Sequence, residues 1–118
     1  MIMNVSIVIP TYNRKPILEK CLKALEKQKL NSNISNYEIV VVDDGSTDGT
    51  SSWIKDNKNI LPHVVLYEQK HGGPALGRNL GVIKSKYEII IFIDSDLIVL
   101  DDFIVCHLDK LKSVWTNS

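Results

Sequence analysis

Asp94 and Asp96 stand two positions apart, directly after an apolar run at residues 89–93. The run is short, β-branched and aromatic, which predicts a strand covered on both faces in the centre of a parallel sheet. If the backbone stays extended through Asp96, both carboxylates point the same way and repel each other. A divalent cation with phosphate oxygens as its other ligands would offset that repulsion. The competing interpretation is a simple polar turn.

Three further loops carry side chains that suit the same ligand. Residues 10–14 include an aromatic ring and an arginine, residues 43–48 begin with an acid pair, and residues 72–78 contain three glycines and the chain's other arginine. The arginine fork matches phosphate oxygens, and glycine permits close backbone approach. His71, in the glycine loop, is interpreted as a solvated side chain, with ligand contact as the alternative.

The elements that must position these loops alternate along the chain. Apolar segments typical of strands cover residues 5–10, 37–42, 63–68 and 87–93. A helical pattern follows each segment, and Pro16 and Pro74 suit the first turns of two of these helices. The order β-α-β-α-β-α-β-α predicts an α/β fold with a Rossmann-like, mostly parallel sheet and helices on both faces. All four loops then converge beyond the carboxyl ends of the strands, where such sheets bind ligands.

Helical spacing also predicts which side chains face the core. They are Ile17, Leu18, Cys21, Leu22 and Leu25 in the first helix, Ala75, Leu76, Leu80 and Ile83 in the third, and Phe103, Ile104, Leu108 and Leu111 in the last. Cys21 and Cys106 both fall among apolar residues. This pattern indicates buried thiols in a reducing compartment, without a disulfide or a metal.

The composition predicts one folded domain over residues 1–118. Hydrophobic residues make up 44% of the chain, and Lys+Arg 14 balance Asp+Glu 14. A net charge of zero gives no indication of a nucleic-acid partner. The N-terminus lacks the pattern of a signal peptide, and no apolar run approaches the roughly 20 residues of a membrane helix, so a cytoplasmic location is expected.

Metal-binding acids, phosphate-binding arginines and an aromatic ring at one sheet edge together predict a site for a nucleoside diphosphate. Each piece alone has an ordinary structural explanation. Tyr12 could pack over its own loop, the Asp43–Asp44 pair could serve a turn and a helix cap, and Arg78 could be a solvated helix residue. The convergence of four loops favours the binding interpretation.

Four motifs, in this order and spacing, resemble the nucleotide-sugar half of family 2 glycosyltransferases, which have the GT-A fold: IVIPTYNR, VVVDDGSTDGT, GGPALGRNLG and IFIDSDL. The resemblance covers about residues 5–103. It implies a nucleotide-binding set made of Pro10, Thr11, Tyr12, Asn13, Asp43, Arg78 and Asp94. Within this set Asp43 would accept a hydrogen bond from the base. Asp94 and Asp96 match the family's DxD motif, which would place Asp94 near the ribose and assign both acids to Mn²⁺ or Mg²⁺.

The resemblance implies transfer of a sugar from a nucleoside-diphosphate donor, a UDP-sugar, to a saccharide or lipid acceptor. The metal would act as a Lewis acid on the leaving diphosphate. Members of the family continue well past the DxD strand into a half that binds the acceptor and supplies the catalytic base. This chain is therefore expected to be the donor-binding portion only, with the base outside it. Apolar surface left by the missing half is expected to favour self-association.

Three rival interpretations are weaker. A sugar-nucleotidyltransferase would carry a glycine- and arginine-rich loop after the first strand, where this chain has residues 10–13. A dinucleotide-binding domain would carry GxGxxG there. A phospho-receiver signalling domain would carry its acid pair on the first strand and a lysine on a later strand, whereas here a whole strand and helix precede Asp43.

Overall fold

The computed structural model describes residues 2–116, with side chains through residue 110, as strands and helices in strict alternation. In chain order they are β1 (Met3–Thr11), α1 (Lys15–Glu26), β2 (Ile34–Asp43), α2 (Thr50–Asp56), β3 (Val64–Glu68), α3 (Pro74–Lys84), β4 (Ile89–Phe92) and α4 (Phe103–Thr116). The predicted order of elements is confirmed. β2 begins earlier than expected, and β4 is shorter than the predicted segment.

The strands form one sheet in the order β3-β2-β1-β4, and every neighbouring pair is parallel. The predicted α/β class with a parallel sheet is confirmed. The prediction that the fourth strand lies in the centre of the sheet is wrong for the described residues, among which β4 is an edge strand paired only with β1. Its last residue, Phe92, is 48% exposed. An apolar run predicts a strand well, but the order of strands depends on long-range pairing.

The larger core lies on the face of the sheet covered by α1, α2 and α4. Alternate residues of the strands enter it, as the period of two requires. The helices contribute the fully buried side chains Leu18, Cys21, Leu22, Leu25, Ile54, Ile104 and Leu108. Each buried aliphatic side chain stabilises the fold by roughly 1.5–3 kcal/mol. The predicted inward positions of α1 and α4 are thus largely confirmed, although Ile17 is exposed and Leu111 lies outside the described side chains.

α3 covers the opposite face and contacts it through glycines. Gly77 lies over Pro10 and Gly81 over Val8, so closely that an added Cβ would overlap the strand side chain. The missing side chains let the helix axis approach β1. The predicted inward face is therefore wrong at Ala75, Leu76 and Ile83, which are exposed, and right at Leu80, which packs against the smaller core of Val8, Val40 and Val42.

A buried polar contact fixes the start of β4. The carboxylate of Glu38 accepts hydrogen bonds from Ser6 Oγ and the backbone N–H of Lys86, each at 2.6 Å. The N–H of Tyr87 donates to Ser6 Oγ at 3.2 Å. Polar groups on β1 and β2 thus hold the segment before β4 in register, which also fixes where the Asp94 turn begins.

The prediction of buried thiols is confirmed for Cys21 and wrong for Cys106. Cys21 is buried in the larger core, and burial raises the pKa of its thiol to about 12. Cys106 is exposed, since α4 directs Ile104 and Leu108 inward instead. Both are free thiols. Within residues 2–116, no helix has the length and apolar character needed to cross a bilayer.

Candidate functional site

Strand register brings the predicted loops to one edge. Thr11 pairs with Asp43, and Asp43 pairs with Glu68, so β1, β2 and β3 end side by side. On the other side of β1, the N–H of Ile93 donates to Val8 O at 3.1 Å, which extends pairing just past β4. The convergence predicted from the strand-helix alternation is confirmed.

The loop after β1 is joined to the loop after β2 by side-chain capping. Asn13 adopts a positive φ of 51°, donates its N–H to Ser46 Oγ at 2.8 Å, and accepts from the N–H of Thr47 at 2.7 Å. The carboxylate of Asp48 accepts from the N–H of Lys15 at 2.9 Å, and from the N–H and hydroxyl of Thr50 at 3.2 and 2.5 Å. Asp48 therefore satisfies free N–H groups at the starts of α1 and α2. These hydrogen bonds outweigh burial and hold the pKa of Asp48 below its ordinary value.

The carboxylate of Asp43 is committed to its own loop. It is 3% exposed, accepts from the N–H of Ser46 at 3.0 Å, and accepts from Ser51 Oγ at 2.6 Å. Gly45 has a positive φ of 79° in this tight turn, a backbone conformation that glycine adopts without strain. The contact between Asp43 and a base that the resemblance implies stays a prediction, and the hydrogen bonds of Asp43 shape the loop.

Asp44 is the partner of the glycine loop. Its carboxylate, also 3% exposed, accepts from Gln69 Nε2 at 2.7 Å, Gly72 N at 2.8 Å and Gly73 N at 3.0 Å, and pairs with His71 Nδ1 at 2.9 Å. Burial alone would raise the pKa of this carboxyl, but the donors outweigh burial and hold the pKa below its ordinary value. Asp44 is thus an ionised anchor for residues 69–73.

His71 also contacts the first loop. Its ring stacks on Tyr12, with ring centroids 4.2 Å apart and an interplanar angle of 30°. The side chain is exposed, as a solvated histidine would be, yet it joins Tyr12 to Asp44. The interpretation of His71 as merely solvated is therefore incomplete.

The predicted acid pair lies in a turn instead of an extended segment. The N–H of Leu97 donates to Asp94 O at 3.2 Å, which closes a turn over residues 94–97. Asp94 and Asp96 are exposed on either side of a buried Ser95. Asp96 forms an ion pair with Arg14, with Nη1 and Oδ2 separated by 3.4 Å.

A cavity of about 490 Å³ lies between these loops. Its lining consists of Pro10, Thr11, Tyr12, Arg14, Asp44, Pro74, Arg78, Asp94, Ser95 and Asp96. Its volume falls in the range of roughly 300–1,000 Å³ typical of small-molecule sites. Among the predicted site residues, the cavity brings Pro10, Thr11, Tyr12, Arg78, Asp94 and Asp96 together, and it leaves Asn13 and Asp43 outside.

The nucleotide-binding and metal-binding residues that the resemblance implies do not include four lining residues: Arg14, Asp44, Pro74 and Ser95. Arg14 was nevertheless indicated by the sequence, since it is one of only two arginines and belongs to the loop at residues 10–14. Asp44 was indicated as well, because adjacent residues at a strand end point to opposite sides, so that only one of Asp43 and Asp44 faces the cavity. Choosing between Asp43 and Asp44 required the turn geometry, which the sequence does not specify.

The lining offers one stacking contact and one hydrogen-bonding contact to a nucleotide. Tyr12 is 42% exposed, so part of its ring surface is open for stacking. Thr11 is 4% exposed, and within the described residues its hydroxyl oxygen has no hydrogen-bond partner. A buried hydroxyl without a partner costs about 1–3 kcal/mol, which a ligand contact would recover.

The same lining contains two candidate metal ligands. Asp94 and Asp96 present hard carboxylate oxygens, the ligand type that Mg²⁺ and Mn²⁺ prefer. Within residues 2–110, no group of three or more His, Cys, Asp or Glu side chains could hold a metal ion. The pair therefore fits a divalent ion whose remaining ligands come from water and diphosphate oxygens.

Known proteins resemble this chain in sequence. The sequence profile described as glycosyl transferase family 2 matches residues 6–113. A curated relative, the poly(ribitol-phosphate) beta-glucosyltransferase of Bacillus spizizenii, is 38% identical over 96 residues. That alignment covers 80% of this chain and 15% of the relative.

Solved structures show the same fold. S. aureus TarS 1-349 in complex with UDP-GlcNAc aligns with a TM-score of 0.79 and 28% identity, over 94% of this chain and 32% of that one. The mannosyltransferase PcManGT from Pyrobaculum calidifontis, in complex with GDP-Man and Mn²⁺, aligns with a TM-score of 0.68 and 30% identity. It covers 81% of this chain and 28% of that one. The chain thus spans a third or less of the length of each of these proteins.

Proposed function

Because this chain belongs to glycosyl transferase family 2, we propose that it is the donor-binding portion of a glycosyltransferase. The enzyme would transfer a sugar from a nucleoside-diphosphate donor, a UDP-sugar, to a saccharide or lipid acceptor. The observation that carries this proposal is the cavity at the strand ends, which combines an aromatic ring, two arginines and the acid pair. The two structural neighbours that bind UDP-GlcNAc and GDP-Man support it.

The nucleoside would lie against the first loop. The base would stack on Tyr12, and the unpartnered hydroxyl of Thr11 would hydrogen-bond to it. Pro10 and Asp44 also line the cavity. Asp43 enters the proposal as the residue that shapes the loop, and a direct contact with the base stays a prediction.

The diphosphate would lie between the arginines and the acid turn. Arg14 and Arg78 offer planar forks for phosphate oxygens, and Asp94 and Asp96 would hold Mn²⁺ or Mg²⁺. When bound, the ion supplies Lewis-acid stabilisation for the leaving diphosphate. The protein's own part is to orient the donor, to balance phosphate charge with the arginines, and to keep Asp94 beside the ribose.

The proposal assigns donor binding to this chain and assigns no catalytic base. Asp101 pairs with Lys29 at 3.2 Å on the surface, away from the cavity lining. The acids of the cavity itself already have roles in the loop or toward the metal. Acceptor recognition and proton removal would therefore fall to parts of the enzyme beyond this portion.

Exposed apolar side chains support a further proposal, self-association of this chain. They include Leu76, Val82, Ile83, Phe92, Leu97, Ile98 and Leu100. Sedimentation at several concentrations should show a rising average mass, and Phe92→Ser should reduce it if β4 lies in the interface. A cytoplasmic location also remains a proposal, which cell fractionation would test.

A thermal-shift panel tests the donor assignment. UDP should raise the melting temperature more than ADP or GDP at equal concentration, and Mn²⁺ should enlarge the UDP shift, since bound ligand stabilises only the folded state. Equal shifts for all three nucleotides would contradict the uridine assignment. An absence of any shift at millimolar nucleotide would contradict donor binding by this chain.

A further inference from the structure

His71 lies beside the cavity and is not part of the site that the resemblance implies. Its ring makes two contacts with cavity residues at once: a stack on Tyr12 at 4.2 Å and a contact between Nδ1 and the Asp44 carboxylate at 2.9 Å. Nδ1 also lies 3.2 Å from Asp44 O. These contacts hold the ring at both its face and its edge.

The position of His71 relative to the cavity is informative. Tyr12 and Asp44 line the cavity, whereas His71 does not. The imidazole therefore contacts two residues of the cavity lining without lining the cavity itself. Asp44 is itself buried and fixed by Gln69, Gly72 and Gly73, so it is a firm anchor for the histidine.

We propose that His71 is a positioning residue that fixes the ring of Tyr12 as one wall of the donor cavity. The identity of the ligand rests on the proposed function, but the support of Tyr12 does not. Without His71, Tyr12 would lose its stacking partner and, as an exposed loop residue, would sample other rotamers. Binding a base would then require the ring to be ordered again.

The size of the effect follows from the contact. Removing the His71 ring would remove the favourable stacking energy between the two rings. UDP binding should then weaken by about three- to tenfold. His71→Phe keeps a ring against Tyr12 and should stay within about threefold of the wild type. His71→Asn keeps an N–H donor for Asp44 but no ring, and it should resemble His71→Ala, since Asp44 retains its other donors.

His107 provides a matched control. It is also an exposed histidine packed against an aromatic ring, with its centroid 4.3 Å from that of Phe103 at a tilt of 42°, and it lies on α4 outside the cavity lining. His107→Ala should leave UDP binding unchanged. In a Tyr12→Ala background, His71→Ala should cause no further loss, because its effect acts through that ring.

Calorimetry with UDP and Mn²⁺ on these variants is the test, together with NMR of the Tyr12 ring in the ligand-free chain. His71→Ala, but not His107→Ala, should shift the Tyr12 ring signals and weaken UDP binding. Unchanged binding would overturn the inference. Tighter binding would overturn it too, because His71 would then occupy the place of the base. If the wild type binds no nucleotide, the proposed function fails. The NMR signals of the Tyr12 ring alone then decide whether His71 fixes that ring.

Discussion

Two strands of the sheet end in paired acids, and the two pairs have opposite surroundings. Asp43 and Asp44 follow β2, are both 3% exposed, and accept hydrogen bonds from backbone and side-chain donors around them. Asp94 and Asp96 follow β4 and are exposed, and the Arg14–Asp96 contact is the ion pair found there among the described residues. Similar sequences at equivalent strand ends thus produce one satisfied pair and one open pair.

The difference separates scaffold from binding capacity. The negative charge at Asp43 and Asp44 is already compensated, so these residues stabilise the loops that frame the cavity. The charge at Asp94 and Asp96 is largely uncompensated, and a solvent-exposed ion pair contributes only about 0–1 kcal/mol. The second pair is therefore the one whose charge stays available for the proposed cation and its phosphates.

The largest expected effect is that of Asp44→Ala on stability. It would leave the N–H groups of Gly72 and Gly73 without their acceptor, which should lower the free energy of unfolding by roughly 2–4 kcal/mol. Asp94→Ala is the matched change in the open pair and should stay within about 0.5 kcal/mol of the wild type. Urea unfolding of both variants compares the two pairs. Similar losses of stability in the two variants would contradict the distinction between the satisfied and the open acid pair.

Acid should also weaken the satisfied pair. The pKa of Asp44 in the folded chain lies below its ordinary value of 3.8, because hydrogen bonds outweigh burial. Its stabilising contribution is therefore fully present above the unfolded pKa and is lost as pH falls through the folded pKa. Asp44→Ala should show less loss of stability than the wild type between about pH 5 and pH 2. Parallel curves for the two proteins would contradict this assignment.

A smaller effect is expected at Asp43. Asp43→Asn removes a charged acceptor for Ser51 Oγ and Ser46 N–H, which should cost about 1–2 kcal/mol. It should also weaken UDP binding equally with and without Mn²⁺, because the loop and not the metal is altered. Calorimetry under both conditions checks this. A loss confined to the Mn²⁺ condition would instead place Asp43 at the metal.

The sequence predicts the fold well where the governing pattern is local. Strand-helix alternation places the four loops at one edge because parallel strands share a direction, whatever their order. The order itself depends on pairing across the sheet, so β4 at the edge was not predictable from its apolar run. α3 shows the same limit. Apolar spacing favours Leu76 and Ile83 as inward residues, whereas Gly77 and Gly81 face β1 because only glycine permits that approach.

The same limit applies to the candidate site. Residue types suffice to predict a ring, arginines and acids around a diphosphate, and the cavity contains Tyr12, Arg78, Asp94 and Asp96 together. Which of two adjacent acids faces the cavity depends on the turn after β2, and the role of His71 depends on a contact between separate loops. Neither is encoded by spacing along the chain.

The smallest change in stability should accompany the most informative change in binding. Asp96→Asn removes one exposed ion pair, and Asp101→Asn removes another of similar geometry, that with Lys29, as the control. Both should lower the free energy of unfolding by less than about 1 kcal/mol. Calorimetry of UDP binding with and without Mn²⁺ then tests the central claim that the open acid pair holds a metal beside a nucleoside diphosphate. Mn²⁺ should strengthen binding to the wild type and to Asp101→Asn but not to Asp96→Asn. An intact Mn²⁺ effect in Asp96→Asn would contradict the claim and leave residues 94–97 as a polar turn.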